Sequence, residues 1–218
     1  MAKNNAIEFY FDPISPFAWL ASTQLDGLVQ HTGASVVARP VLFAGFLKAL
    51  GHKGPAEIPA KRDYTFRDVL RRASRYGLTV EGPPQHPFNP LLSLRAATAI
   101  EQDELRLAFA KTVMHVAWVE GKDITVSDTI KRVANGIGID GNELVDQAGT
   151  AEVKQKLIDN TEQALARGLF GVPSFIYRNE LFWGDDRIED LLVFADGQRI
   201  DEEKLNAILA RASGADRK

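Results

Sequence analysis

Strand-like sequence is confined to the two ends of the chain, and this limits the possible folds more than any other feature. At the N-terminal end, Ile7 to Phe11 is short, β-branched and aromatic, and Asp12-Pro13 stops it. Pro16 to His31 reads as one helix, with Leu20, Leu25, Leu28 and Val29 facing inward and Gly33 after its end. Ser35 to Arg39, with Val36 and Val37 at its centre, reads as a second strand ending at Pro40. Two strands joined by a crossover of about fifteen residues make a right-handed βαβ unit.

From Leu42 to Gly168 the pattern is almost wholly helical. Asp63 to Tyr76 is charged and amphipathic and stops at Gly77, and PPQHPFNP, residues 83–90, is a loop by its prolines. Helices are expected over Leu91 to Glu101 and over Glu104 to Glu120, the second with Leu105, Phe109, Val113 and Val116 on one stripe. Ser127-Asp128, Asp140 and Thr150 stand as caps of three more, the last running to Arg167. Strand signal returns at Pro173 to Tyr177 and Leu181 to Trp183, a hairpin across Arg178-Asn179-Glu180. Helices follow from Ile188 and, capped by Asp201, from Glu202 to Ala212. A βαβ half and a ββα half around one mixed sheet define an α/β, thioredoxin-like fold with a large all-helical insertion. On this reading residues 1–41 and 168–218 form the thioredoxin-like domain and residues 42–167 the inserted helical domain.

Composition narrows the chemistry. The 218 residues carry a net charge of −3, which argues against a nucleic-acid partner, since phosphates call for a basic face. No apolar run is long enough to span a bilayer, and MAKNNAIEFYF lacks the apolar core of a signal peptide, so a cytoplasmic protein with no membrane partner is expected. Cysteine is absent, which removes disulfides, thiolate metal sites and cysteine nucleophiles together. His31, His52, His86 and His115 are far apart and form no ligand pair at helical spacing, so no metal is expected.

Three motifs carry what chemistry remains. Ser15-Pro16 has the sequence of a helix N-cap followed by proline at the first helical position. The same helix end stabilises an anion, and in thiol enzymes of this fold a thiolate sits there. Without a protein sulfur, a ligand must bring the thiolate. Gly171-Val172-Pro173-Ser174-Phe175 places a proline before the third strand, where thioredoxin-like folds hold it cis and the preceding residue offers its backbone to an extended peptide. In Phe182-Trp183-Gly184-Asp185-Asp186-Arg187 the carboxylates either cap the next helix or, with its N–H groups, suit a zwitterionic α-amino-acid head.

Taken together, FYFDPISPFAWLA (9–21), AKRDY (60–64), VAWVEGKDI (116–124), GVPSF (171–175) and FWGDDR (182–187) resemble the kappa-class glutathione transferases and, more closely, bacterial 2-hydroxychromene-2-carboxylate isomerases. The matches keep the family's order and spread over nearly the whole chain. The resemblance implies glutathione as cofactor, a small aromatic substrate and a homodimer. By position, Ser15 resembles the serine that hydrogen-bonds the glutathione sulfur. Val172 and Pro173 resemble the segment that pairs with the cysteinyl unit, and Trp183, Gly184, Asp185 and Asp186 the γ-glutamyl site. Lys61 resembles a basic residue that meets the glycine carboxylate. Phe17 and Trp118 would line an aromatic pocket, or else belong to the core; Asn89 and Arg95 would shape its entrance. Two positions depart from the family. LGHKGP (50–55) puts His52 where an asparagine is expected, so that imidazole protonation would make binding pH-sensitive. Asp185 replaces a neutral Ser or Asn and would repel a glutamyl carboxylate unless it pairs elsewhere. The implied reaction interconverts 2-hydroxychromene-2-carboxylate and trans-o-hydroxybenzylidenepyruvate, or a related aromatic-degradation intermediate, by reversible thiolate addition. A kappa-like transferase and a non-catalytic glutathione- or peptide-binding module share the same thiol site and stay open; disulfide exchange does not, for want of cysteine.

Overall fold

The computed structural model describes residues 5–211 and Gly214. At the centre of its sheet lies β1 (Ala6–Phe11), which pairs in parallel with β2 (Ser35–Pro40) and antiparallel with β3 (Ser174–Tyr177). A hairpin turn through Arg178 and Asn179, at φ 50° and 69°, leads to β4 (Glu180–Trp183) at the edge, giving the order β2-β1-β3-β4. Both turn residues are left-handed, as a two-residue hairpin loop requires. The βαβ and ββα halves therefore meet as the sequence predicts, with Phe9 opposite Phe175.

Strand alternation sorts the side chains into two cores. Ile7, Phe9, Phe11, Phe175 and Tyr177 face one way, into the main core. That side is covered by α1 (Pro16–Ser22), α6 (Asp103–Trp118) and α10 (Ile188–Ala195), through Ala18, Leu20, Phe109, Val113, Ile188 and Leu191. Tyr10 and Ile176 face the other way, against Phe46 of α3 (Phe43–Leu50) and Ala164 of α9 (Ala151–Ala166). Between these, α4 (Pro59–Arg75) and α5 (Leu91–Ala99) precede α6, and α7 (Ser127–Gly136) and α8 (Gly141–Ala148) extend the main core through Ile130, Val133 and Leu144. Among the described residues no helix is long and apolar enough to cross a membrane.

Several local expectations are corrected. Pro16 to His31 is two helices, α1 and α2 (Leu25–Thr32). The side chains of Ser22, Thr23 and Gln24 bond the carbonyls of Trp19 and Leu20, competing with the backbone ladder where it breaks. Val29 is 37% exposed, unlike Leu20, Leu25 and Leu28. Ser127 and Asp128 lie inside the first turn of α7, which has no side-chain cap, whereas Asp140 and Thr150 do cap α8 and α9. The last helix, α11 (Glu202–Leu209), is capped by Asp201; Ala212, its expected end, lies outside the described residues.

Candidate active site

Ser15 caps α1. Its Oγ accepts from the Ala18 N–H at 3.3 Å, with Pro16 at the first helical position. The hydroxyl donates to the Val172 carbonyl at 3.4 Å. Both bonds are near the long limit for a hydroxyl, so redirecting the proton to an anionic acceptor sacrifices little. Ser15 itself is half-buried at the mouth of the loop.

The loop before it, Asp12 to Ser15, is pinned at almost every polar backbone atom. Ser15 N–H donates to Asp12 O at 3.0 Å, and Ile14 N–H donates to Asp12 Oδ1 at 3.0 Å. Asp12 Oδ2 accepts from Phe43 N–H at 2.9 Å, tying the loop to the start of α3. Asp12 is fully buried, and burial pushes its carboxyl up to about 7 against the two N–H donors, which pull it down. The Pro13 carbonyl accepts from Trp118 Nε1 at 2.9 Å, and the Ile14 carbonyl from His86 Nε2 at 3.0 Å.

Across from Ser15, the Val172-Pro173 peptide is cis, as the sequence predicts. The Pro173 carbonyl accepts from Gly184 N–H at 3.0 Å, joining GVPSF to the FWGDDR turn. Gly184 sits at φ 113°, and a Cβ there would lie 2.3 Å from Asp186 Oδ1, so only glycine fits. Trp183 is 52% exposed; its Nε1 lies so close to Gly171 that a Cβ on Gly171 would come within 2.6 Å. Asp185 and Asp186 form a 3-10 turn before α10 instead of capping it.

Asp185 has the partner that its position demands. It is 2% exposed, and its Oδ1 lies 2.6 Å from Nη1 of Arg72, on α4. Arg72 Nη2 is 3.1 Å from Asp186, and Nε 3.2 Å from Asp68 one turn earlier on α4. The guanidinium also stands over the Phe17 ring, 5.6 Å from its centre. Burial raises the Asp185 carboxyl pKa, Arg72 opposes this, and Asp186 adds to it. Burial alone would lower the Arg72 pKa, but Asp185 and then Asp186 reverse that and hold it cationic. Asp186 is shared further with Arg187, at 3.2 Å. Asp185 Oδ2 is buried without a donor among the described residues.

The structure thus brings Ser15, Val172, Pro173, Gly184, Asp185 and Asp186 into one connected site, with Phe17 beside it under Arg72. Trp118 does not line a pocket: it is fully buried and supports the Ser15 loop from behind. Asn89 is exposed and bonds Leu91 N–H at the start of α5. Arg95 is half-buried on α5, its Nε without a partner among the described residues. His52, just past α3, and Lys61, in the first turn of α4, are exposed, and no side-chain hydrogen bond or ion pair among the described residues ties either to the site. Arg72 and His86 were not legible as site residues. RDVLRRASRY reads as a solvated helix and PPQHPFNP as a proline loop, and both reach the site only through tertiary contact.

A family model for the DsbA-like thioredoxin domain matches residues 6–194, and the chain belongs to that family. The relatives it resembles narrow this further. It is 30% identical over 191 residues to the 2-hydroxychromene-2-carboxylate isomerase of Sphingobium xenophagum, covering 85% of this chain and 95% of that one. It is 26% identical over 208 residues to glutathione S-transferase kappa 1 of Rattus norvegicus, covering 88% and 91%. Both relatives are named as enzymes. Among solved structures, a 2-hydroxychromene-2-carboxylate isomerase superposes with a TM-score of 0.82 at 24% identity, covering 94% of this chain and all of that one, which shows a shared fold.

Proposed function

We propose that the chain is a glutathione-dependent isomerase acting on 2-hydroxychromene-2-carboxylate, trans-o-hydroxybenzylidenepyruvate or a related aromatic intermediate. One observation carries the reading: a weakly held serine hydroxyl at a helix N-terminus, 3.4 Å from the carbonyl before a cis proline, in a chain without cysteine. Such a site stabilises a thiolate and supplies none. The names of the isomerase and kappa-transferase relatives support the same reading. Its setting would be the cytoplasm, and its assembly a homodimer.

The residues present fit glutathione. The Ser15 hydroxyl turns from Val172 O to the sulfur, and the Phe17 N–H in the first turn of α1, which has no acceptor among the described residues, adds a second donor beside it. Val172, whose carbonyl now accepts from Ser15, would offer its backbone to the cysteinyl unit. Asp186, which is partly exposed, supplies an acceptor for the ammonium of the γ-glutamyl end, and Arg72 offsets the buried Asp185 carboxylate, whose repulsion would otherwise fall on the ligand. Lys61 is free to meet the glycine carboxylate, and His52 to donate beside the ligand. When bound, glutathione supplies a thiolate whose reversible addition to the conjugated carbon makes the double bond single and free to rotate. Ser15 acts as a donor throughout and never as the nucleophile, and Phe17 offers an aromatic wall next to it.

Turnover of the chromene carboxylate with and without glutathione, beside an aryl-halide conjugation assay, tests the proposal. Glutathione-dependent isomerisation with little conjugation is the expected result. Conjugation without isomerisation would assign the site to a kappa-like transferase, and glutathione binding with neither reaction would assign it to a binding module.

A further inference from the structure

We infer that His86 is a positioning residue for thiolate stabilisation: it fixes the peptide plane that aims Ser15. This rests on the reading of Ser15 as the donor to a glutathione thiolate. The peptide unit between Ile14 and Ser15 has two polar atoms, and both are held. At one end the Ile14 carbonyl accepts from His86 Nε2 at 3.0 Å; at the other the Ser15 N–H donates to Asp12 O at 3.0 Å. Rotation of that plane changes Ser15 φ, now −88°, and with it the direction of the Cα–Cβ bond that carries the hydroxyl. A plane bonded at both ends cannot rotate without breaking a bond at one of them. Removing the His86 donor leaves one pivot.

The ring is held to this single task. A carbonyl oxygen only accepts, so Nε2 carries the proton and Nδ1 is a bare lone pair. Nδ1 is buried with no donor among the described residues. Protonating it would bury an unpaired N–H in an apolar setting, which keeps the ring neutral and in one tautomer. Three aromatic rings fix its orientation at edge-to-face angles: Phe66 at 5.2 Å, Trp118 at 5.5 Å and Phe88 at 6.4 Å between ring centres. Trp118 in turn receives the Glu81 and Gly82 N–H groups at its carbonyl, at 3.0 and 3.1 Å, fastening the start of the loop that carries His86 to the end of α6. The helical segment thereby reaches across 72 positions of sequence to set the angle of one serine.

Two variants test this. His86→Phe keeps an aromatic ring and loses the donor; His86→Gln restores an N–H. Two readouts are needed. In the ligand-free protein, amide hydrogen exchange at Ser15 should quicken about tenfold in His86→Phe and return toward the parent in His86→Gln. With glutathione bound, ultraviolet titration of the thiolate should show the pKa raised by about half a unit in His86→Phe, with kcat down roughly threefold and KM for glutathione nearly unchanged, and His86→Gln recovering most of it. A His86→Phe titration that coincides with the parent's overturns the inference. If the parent itself shows no thiolate band with glutathione, the glutathione reading fails, and the exchange arm decides alone: unchanged exchange at Ser15 overturns the pinned plane, faster exchange upholds it. Should His86→Phe not fold, His86→Met against His86→Gln, equal in length and differing in the donor, makes the same comparison.

Discussion

The two ends of the site are built by different physics. The Ser15 end is held by neutral hydrogen bonds, from the Ser15 N–H to the Asp12 carbonyl and from His86 and Trp118 to the Ile14 and Pro13 carbonyls, with the Asp12 side chain buried beneath. The Gly184–Arg187 end is held by charge: two carboxylates against Arg72, with Arg187 sharing the second. Neutral, short-range bonds fix direction and are little affected by salt. The Arg72–Asp185 pair is buried and fixed, but the Asp186–Arg187 pair beside it lies on a half-open surface, where ion pairs are screened and exchange partners readily. A thiolate needs one hydroxyl aimed at one atom. A zwitterionic amino-acid head needs charges that let go of each other to take up its own. The comparison suggests a rigid chemical end and a compliant recognition end.

The largest effect should come from the buried carboxylate under the rigid end. Asp12 ionises near 3.8 when exposed and at about 7 in the fold. Between those values the unfolded chain releases a proton that the folded chain keeps, so unfolding free energy should fall as pH rises through that window, by up to ~4 kcal/mol. Denaturant titrations from pH 4 to 8 measure this. Asp12→Asn should flatten the slope, while at pH 5 it costs about 1–3 kcal/mol, because its amide leaves Phe43 N–H or Ile14 N–H without an acceptor. A parent without the slope would mean that Asp12 is not the titrating group proposed.

At the compliant end, Arg72→Met strips a buried carboxylate of its counter-charge and should cost about 3 kcal/mol. Arg72→Met combined with Asp185→Asn should recover most of that loss, since the charge left unpaired is gone as well. Equal losses in the single and double variants would show that Arg72 acts through its packing on Phe17 rather than through Asp185. Raising salt should weaken glutathione binding while leaving the bound thiol pKa nearly unchanged, which is the contrast between the two ends in one experiment.

How much of this was legible in the sequence follows the same division. The sheet order, the Ser15 cap and the cis proline are local or periodic signals, and FYFDPISPFAWLA and GVPSF carry them openly. The break at Thr23-Gln24 was hidden because hydroxyl and amide side chains compete with the helix ladder without disturbing the apolar spacing. The short helix α3 lacks a side-chain cap and holds Gly45, so LFAGFLKAL gives little sign of where it starts. His86 and Arg72 were hidden for another reason. Each carries its role in a contact made over many positions of chain, and neither PPQHPFNP nor RDVLRRASRY encodes a partner. Asp185 came nearest to revealing such a contact, because a second carboxylate at that turn calls for a cation somewhere.

A smaller effect should come from Gly171→Ala. The added methyl would meet Trp183 Nε1, but the half-exposed indole can swing away, so stability should change by less than ~1 kcal/mol. Glutathione affinity should fall more clearly if Trp183 covers the γ-glutamyl end, and calorimetry reads both. Ser15→Cys should fold and, under oxidising conditions, form a mixed disulfide with glutathione, seen as the added mass; its absence would place the ligand sulfur away from position 15.

The central claim is that Ser15 is at once the cap of α1 and the donor to a thiolate borrowed from glutathione. Ultraviolet titration of the bound thiol in the parent and in Ser15→Ala tests it most directly, with denaturant unfolding alongside. Loss of the cap should lower stability by ~1 kcal/mol, and loss of the hydroxyl should raise the bound thiol pKa by about half to one unit. Coincident titrations in the two proteins, with stability lowered, would contradict the account and leave Ser15 as a helix cap alone.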